Sequence, residues 1–163
     1  MNAKKALESN MAFADKVGLA YLADMTDAEL LVRPVPEANH IAWQLGHLVA
    51  AEHDLIEMIA PGSMPKLPAG FKEKHTKQTA TSDDPKAFCT KAEYLKLFKE
   101  QRAGTLAALA KMSEPELSKP APEPVRSHLE TVGDVFSMQG GHLLMHAGQW
   151  AVVRRKLGRK PLF

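Results

Sequence analysis

Apolar residues recur at helical spacing in four long stretches of the sequence, and each stretch predicts an amphipathic helix. The predicted helices cover residues 3–25, 39–59, 90–113 and 131–157. Thr90 and Glu93 form a capping-box pattern at the start of the third helix, Thr131 is expected to cap the fourth, and Asn39 is expected to cap the second. The pattern therefore predicts an all-α protein.

Two proline-containing segments separate these helices. Residues 60–88 contain four prolines and a polar run without a sustained apolar period, so Phe71 and His75 within them are expected to face solvent rather than a cleft. Residues 119–124 read Lys-Pro-Ala-Pro-Glu-Pro, which is too rich in proline for a helix and predicts a stiff crossover. Four helices joined by long crossover connections predict a four-helix bundle.

Composition favours one domain and excludes several classes of partner. The 163 residues are 45% hydrophobic, which suits a single domain over residues 1–163. The net charge of +2 is too small for a typical nucleic-acid-binding protein, and Arg154, Arg155 and Lys156 complement a helix C-terminus. Cys89 is the single cysteine, which excludes an intrachain disulfide and fits a reducing compartment. With no export signal and no apolar run long enough for a bilayer, we expect a cytoplasmic protein without a membrane partner.

The fourth predicted helix carries a pair of histidines with the spacing of metal ligands. His142 and His146 are four residues apart, so their rings lie one above the other on a helix face. Gln139 and Gln149 fall with them within or beside the apolar stripe, where polar groups need partners. A metal ion would satisfy them, but so would hydrogen bonds to neighbouring helices, and the spacing alone leaves both interpretations open.

The second predicted helix contributes further polar residues near its apolar face. His47 lies on the flank of the stripe, whereas Glu52 falls near its middle and must be paired or have a shifted pKa. Glu52 is interpreted either as a carboxylate satisfied by a neighbouring helix or as a residue with an acid–base or supporting role. His40 lies about 10 Å along the helix axis from His47, which is too far for both rings to reach one ion easily.

Two segments resemble motifs of the DinB-like family of bacterial four-helix-bundle metalloproteins. They are His40-Ile-Ala-Trp-Gln-Leu-Gly-His-Leu48 and Gly141-His-Leu-Leu-Met-His-Ala-Gly-Gln149. The resemblance implies an up-down-down-up bundle, often a homodimer, in which His47, His142 and His146 bind a divalent metal. Its better-understood members resemble S-transferases or isomerases that use low-molecular-weight thiols.

Three histidine ligands leave a coordination position for water or substrate, as in catalytic metal sites. We therefore expect a divalent-metal-dependent S-transferase or hydrolase that acts on a small electrophilic substrate, with a low-molecular-weight thiol as a partner. Gln44, Gln139 and Gln149 are expected to orient ligands or substrate. Imidazole suits zinc, nickel, copper and iron, and zinc or nickel is expected here. The alternative is a non-catalytic metal-binding or dimerisation module.

The fourth predicted helix is also apolar away from its main stripe. The residues on this second side are Leu144, Met145, Ala151 and Val152. A helix that is apolar around most of its circumference is usually covered on both sides. We therefore expect a homodimer with this helix near the interface.

Overall fold

Five α-helices form the protein in the computed structural model, which describes residues 2–163. They are α1 (Ala3–Leu22), α2 (Ile41–Ile59), α3 (Lys91–Lys111), the single-turn α4 (Glu114–Leu117) and α5 (Val132–Lys156). No β-strand occurs within the described residues, so the all-α prediction is confirmed. The single turn of α4 was not predicted, and it forms because Ser113 and Glu116 make a local capping box.

The helix starts are set by local side-chain caps. Thr90 and Thr131 cap α3 and α5 as predicted, each in a capping box. The prediction of Asn39 as a cap is wrong, because α2 is capped by His40, whose Nδ1 accepts a hydrogen bond from Trp43 N at 3.1 Å. Asn39 instead contributes its backbone oxygen, which accepts from the Gln44 side chain.

Helix α1 ends at Leu22, three residues before the predicted end. Lys91 explains part of this difference, because its ammonium group donates to the backbone oxygens of Leu22, Ala23 and Met25. Carbonyl groups at the end of a helix lack partners within the helix, and the lysine supplies one from α3.

Contacts along the helices show which segments lie side by side. Lys4 of α1 donates to Ala110 O near the end of α3. In contrast, Tyr21 O near the end of α1 accepts from Arg154 near the end of α5. The C-terminal ends of α1 and α5 therefore lie side by side. The middle of α5 also contacts α2.

The interior contains two hydrophobic clusters. The first includes Trp43, Tyr94 and Trp150. The second includes Ile56 and Phe136. Trp43, Tyr94 and Trp150 are at least 94% buried, and most of the buried aromatic side chains belong to the first cluster.

A buried ionic group also ties the helices together through Arg102 of α3. Its guanidinium lies 3.2 Å from Asp15 of α1 and 3.3 Å from Glu52 of α2, and it donates to Gln139 O of α5. Thr105 Oγ1 donates to Glu52 Oε1 at 2.6 Å. Burial raises the pKa of Glu52, whereas Arg102 and Thr105 lower it. Glu52 is thus paired with side chains of α3, which agrees with its interpretation as a carboxylate satisfied by a neighbouring helix.

The connection between α2 and α3 is packed against the bundle, and the prediction that Phe71 and His75 face solvent is wrong. Their exposed fractions are 3% and 5%. His75 fills a notch at Gly46 of α2, where a Cβ atom would lie 2.0 Å from its ring. Its Nδ1 donates to Phe71 O at 2.8 Å, and Tyr94 OH donates to its Nε2 at 2.7 Å. A polar local sequence cannot reveal a notch on another helix, which explains the error.

The buried His75 makes the stability of the protein depend on pH. Burial, more than any other cause, lowers the pKa of His75 from 6.5 to about 4. The unfolded chain therefore takes up this proton first as the pH falls, and folded stability is lost between about pH 6.5 and pH 4. For the metal-free protein, we expect His75→Gln to reduce this loss by about 3 kcal/mol, measured as the difference in unfolding free energy at the two pH values. Equal losses in the wild type and the variant would contradict the assignment.

The outer side of α5 is partly apolar. Of the predicted second apolar side, Met145 and Val152 are 60% and 44% exposed, whereas Leu144 is half-buried against the first hydrophobic cluster and Ala151 is also half-buried. The homodimer stays a prediction. Within residues 2–163, none of the helices combines the length and the apolar character needed to span a bilayer.

Candidate metal centre

Three histidine side chains from two helices converge where α2 passes α5. His47 comes from α2, and His142 and His146 come from α5. One ring nitrogen of each lies within 4.8 Å of the others. The ring centroids of His47 lie 5.0 Å from His142 and 5.6 Å from His146. The i, i+4 spacing on α5 and the position of α2 together produce this arrangement.

The distance between the two α5 imidazoles fits a metal site. His142 Nε2 and His146 Nε2 are 3.2 Å apart. In a tetrahedral site with zinc–nitrogen bonds of about 2.0–2.1 Å, two ligand nitrogens lie about 3.3–3.4 Å apart. The three rings therefore present a donor set that suits a divalent ion such as zinc.

The hydrogen bonds of Gln44 determine which nitrogen of His146 is free. Trp150 Nε1 can only donate, and it lies 2.8 Å from Gln44 Oε1, which identifies this atom as the amide oxygen. His146 Nδ1 lies 3.0 Å from the same oxygen and must therefore carry a hydrogen. His146 Nε2 consequently has its lone pair available and directed toward His142.

Gln149 completes this network. Gln44 Nε2 donates to Gln149 Oε1 at 2.9 Å and to Asn39 O at 2.6 Å. Both groups of the Gln44 amide are thus engaged, which fixes its orientation. An amide that holds the remote nitrogen of a histidine is the kind of supporting partner that orients metal ligands in proteins.

The electrostatic environment keeps the three rings neutral at pH 7. Burial lowers the pKa of His47. Burial, followed by the proximity of His47, lowers the pKa of His142 to about 4. Burial, followed by the proximity of His142 and His47, lowers that of His146 to about 3. Neutral imidazole is the form that binds metal, so little proton release would accompany binding.

Four other residues considered from the sequence are engaged elsewhere. Gln139 Nε2 donates to Val135 O of its own helix at 2.7 Å. His40 uses Nδ1 in capping α2, and its Nε2 donates to Ser82 O at 3.0 Å. Glu52 is paired with Arg102, and His75 with Phe71 and Tyr94. None of these four side chains belongs to the group of three histidines.

Two tryptophans beside the histidines were not recognised as site residues from the sequence. The Trp43 ring stacks on His47, with a centroid distance of 5.1 Å and an interplanar angle of 9°. Trp150 reaches the site through Gln44. Each tryptophan lies four residues from a histidine of the group, so the i, i+4 rule could have identified both.

The Gln44 network leads to a testable effect on metal affinity. Gln44→Leu would leave His146 Nδ1 and Trp150 Nε1 without their acceptor, and we expect metal binding about 10–100-fold weaker. His53→Ala, on α2 but outside the group of histidines, is the control and should bind metal as the wild type does. Competition with a chromophoric chelator measures both affinities. Equal affinities of Gln44→Leu and the wild type would contradict the orienting role.

Comparison with known proteins matches the part of the chain that contains the site. The family model of the DinB superfamily matches residues 15–150. This range includes all three histidines and both tryptophans. No curated protein and no solved structure shows a significant match to the chain.

Proposed function

Because the chain belongs to the DinB superfamily, we propose that it is a divalent-metal-dependent enzyme whose ion is held by His47, His142 and His146. The observation that carries this proposal is the convergence of three neutral imidazoles from two helices. The proposed reaction is transfer of a low-molecular-weight thiol to a small electrophile, or hydrolysis of such a compound.

The number of ligands supports a catalytic rather than a closed structural centre. Among residues 2–163, no carboxylate, thiol or further imidazole joins the three histidines. Structural zinc sites have four protein ligands, whereas catalytic sites have three and keep a position for water or substrate. When bound, the ion would supply Lewis acidity that favours deprotonation of a thiol or of water at neutral pH.

The residues of the chain would bind and orient the reactants. Gln44 holds the His146 ring, and its own amide is fixed by Gln149. Gln149 is exposed and accepts through its oxygen, so its amide NH₂ can donate to an oxygen atom of a substrate. None of the three histidines is available as a general base once it is a ligand. The proton of the attacking thiol or water therefore passes to solvent.

The proposed transfer step is a displacement in which the attacking thiol replaces a leaving group. The sulfur of the thiol forms a bond to the electrophilic carbon, and the bond to the leaving group breaks with its electron pair. The proton lost by the thiol accompanies the departing anion in solution. In the hydrolytic variant, water takes the place of the thiol in the same displacement.

Thiol consumption in the presence of an activated aryl chloride tests the reaction. We expect consumption above the uncatalysed rate with zinc- or nickel-loaded protein, and loss of this activity on chelation while the helical circular dichroism is retained. In cobalt-substituted protein, added thiol or azide should change the visible ligand-field spectrum. His53→Ala, on α2 but outside the group, should retain both responses.

The opposite set of results would identify the non-catalytic alternative. A cobalt spectrum that is indifferent to every added ligand, together with unfolding on metal removal, would indicate a closed structural centre. The chain would then act as a metal-binding or dimerisation module.

A further inference from the structure

The connection between α2 and α3 contacts α2 in the turn that precedes His47. We call residues 71–82 of this connection the strap. His75 of the strap occupies the notch at Gly46, and Thr76 O accepts a hydrogen bond from Trp43 Nε1 at 3.0 Å. Two consecutive strap residues thus contact the residues one and four positions before His47.

The Thr76 carbonyl is held in place from both sides along the strap. Thr79 N donates to Thr76 O at 3.2 Å, and the single hydroxyl hydrogen of Thr79 is shared between Lys74 O at 2.8 Å and Thr76 O at 2.9 Å. At the far end, Ser82 O accepts from His40 Nε2 at 3.0 Å and from Arg33 at 3.2 Å. On the near side, the hydrogen bonds of His75 to Phe71 O and Tyr94 OH fix the preceding residue. The acceptor of the Trp43 hydrogen bond therefore has a defined position.

His47 and His146 are oriented in different ways. His146 has the amide oxygen of Gln44 as the partner of its Nδ1. Within residues 2–163, neither ring nitrogen of His47 has a hydrogen-bond partner. Its ring is instead covered on one face by the nearly parallel indole of Trp43, which is 6% exposed. The rings of His142 and His146 are steeply inclined to it, at interplanar angles of 83° and 67°.

We propose that Trp43 is the positioning residue of His47 and that the strap, through Thr76 O, holds Trp43 in place. Metal-binding histidines normally depend on a partner beyond the metal to fix the ring. For His47, an aromatic face fulfils this role instead of a hydrogen-bond acceptor, and offset stacking is a favoured arrangement of aromatic rings. The inference rests on the proposed function, because it assumes that His47 is a metal ligand.

The strap is therefore a component of the metal centre although it contributes no ligand. Its contact with Gly46 also gives that glycine a specific role. A side chain there would displace His75, and with it the adjacent Thr76 carbonyl. Displacement of the strap would release the indole and allow the His47 ring to rotate out of the position that it shares with the two histidines of α5.

Cobalt binding to variants of Trp43 tests this inference on the full chain. Trp43→Leu and Trp43→Met remove the aromatic face, and we expect each to weaken cobalt binding about 10–100-fold and to alter the ligand-field spectrum. Trp43→Phe keeps an aromatic ring but loses the N–H donor, so it should recover part of the affinity and the spectrum. Phe13→Leu is the matched control, since it removes an aromatic ring that is 61% exposed on α1, outside both the strap and the group of histidines. It should bind cobalt as the wild type does.

Helical circular dichroism is measured on every variant, so that each outcome either supports or refutes the role of Trp43. Wild-type protein that binds no cobalt would refute the proposed metal site, and the role of Trp43 would fall with it. A normally folded Trp43→Leu or Trp43→Met variant with wild-type affinity and spectrum would refute the role of Trp43 while leaving the metal site intact. Loss of helicity in both variants would make Trp43 a residue of the core and would also overturn its assignment as a positioning residue.

Discussion

Replacing His142 or His146 with alanine is expected to abolish stoichiometric binding of divalent metal. Each variant retains two imidazoles, which leaves a weak two-nitrogen site in place of three converging donors. The loss should exceed the roughly 100-fold that marks the upper end for removing a supporting partner alone. Elemental analysis after dialysis measures the metal content, and competition with a chelator measures the remaining affinity.

The appropriate control is a histidine on α2 that lies outside the group. His53 Nδ1 lies 3.1 Å from Gln101 Oε1, and this ring does not approach the other three. His53→Ala should therefore keep full metal content. Full metal content in the double variant His142→Ala/His146→Ala would show that the ligands have been assigned wrongly.

The largest expected effect on stability comes from Arg102. The side chains of Arg102 and Glu52 are 5% and 4% exposed, and Asp15 lies beside them. Arg102→Met removes the cation and leaves buried carboxylates without their partner, and breaking such a pair typically costs about 3–5 kcal/mol. Burial raises the pKa of Asp15, and Arg102 lowers it. Without the arginine both carboxyl groups should bind protons more readily. Urea denaturation at pH 7 measures the decrease in the free energy of unfolding caused by Arg102→Met.

Two further variants test whether the cost of Arg102→Met comes from unpaired buried charge rather than from lost packing. Adding Glu52→Gln to Arg102→Met removes one unpaired charge, so the double variant should recover part of the lost stability. Lys96→Ala removes an exposed i, i+4 contact with Glu100 on the same helix and should cost less than about 0.5 kcal/mol. A cost below about 1 kcal/mol for Arg102→Met would contradict the role assigned to the buried cluster.

The helices could be predicted because their signals are local in sequence. Thr90 and Thr131 act on backbone groups three residues away, and the apolar period is read within a single helix. The prediction failed where a contact from elsewhere determines the structure. His40 became the cap of α2 with its ring also bonded to Ser82, and His75 became buried because Gly46 makes room for it.

The candidate site was only partly accessible from the sequence for the same reason. The spacing of His142 and His146 gives their common face, but it does not reveal that His47 meets them, and the family resemblance supplied that residue. The prediction for Gln139 shows the limit most clearly. It shares the side of α5 with the histidines, yet its amide donates to its own helix. Periodicity gives the direction of a side chain but not its hydrogen-bond partner.

Arg102 also has a consequence for how the protein folds. Its guanidinium meets Asp15 of α1, Glu52 of α2 and Gln139 O of α5 from its own position on α3. An assembly that lacks any one of the four long helices would bury this charge without all of its partners, or leave it in water with the surrounding core unformed. Partly folded forms are therefore higher in free energy than the complete bundle. Although the interior is divided into two hydrophobic clusters, the shared arginine should make them fold and unfold as one cooperative unit.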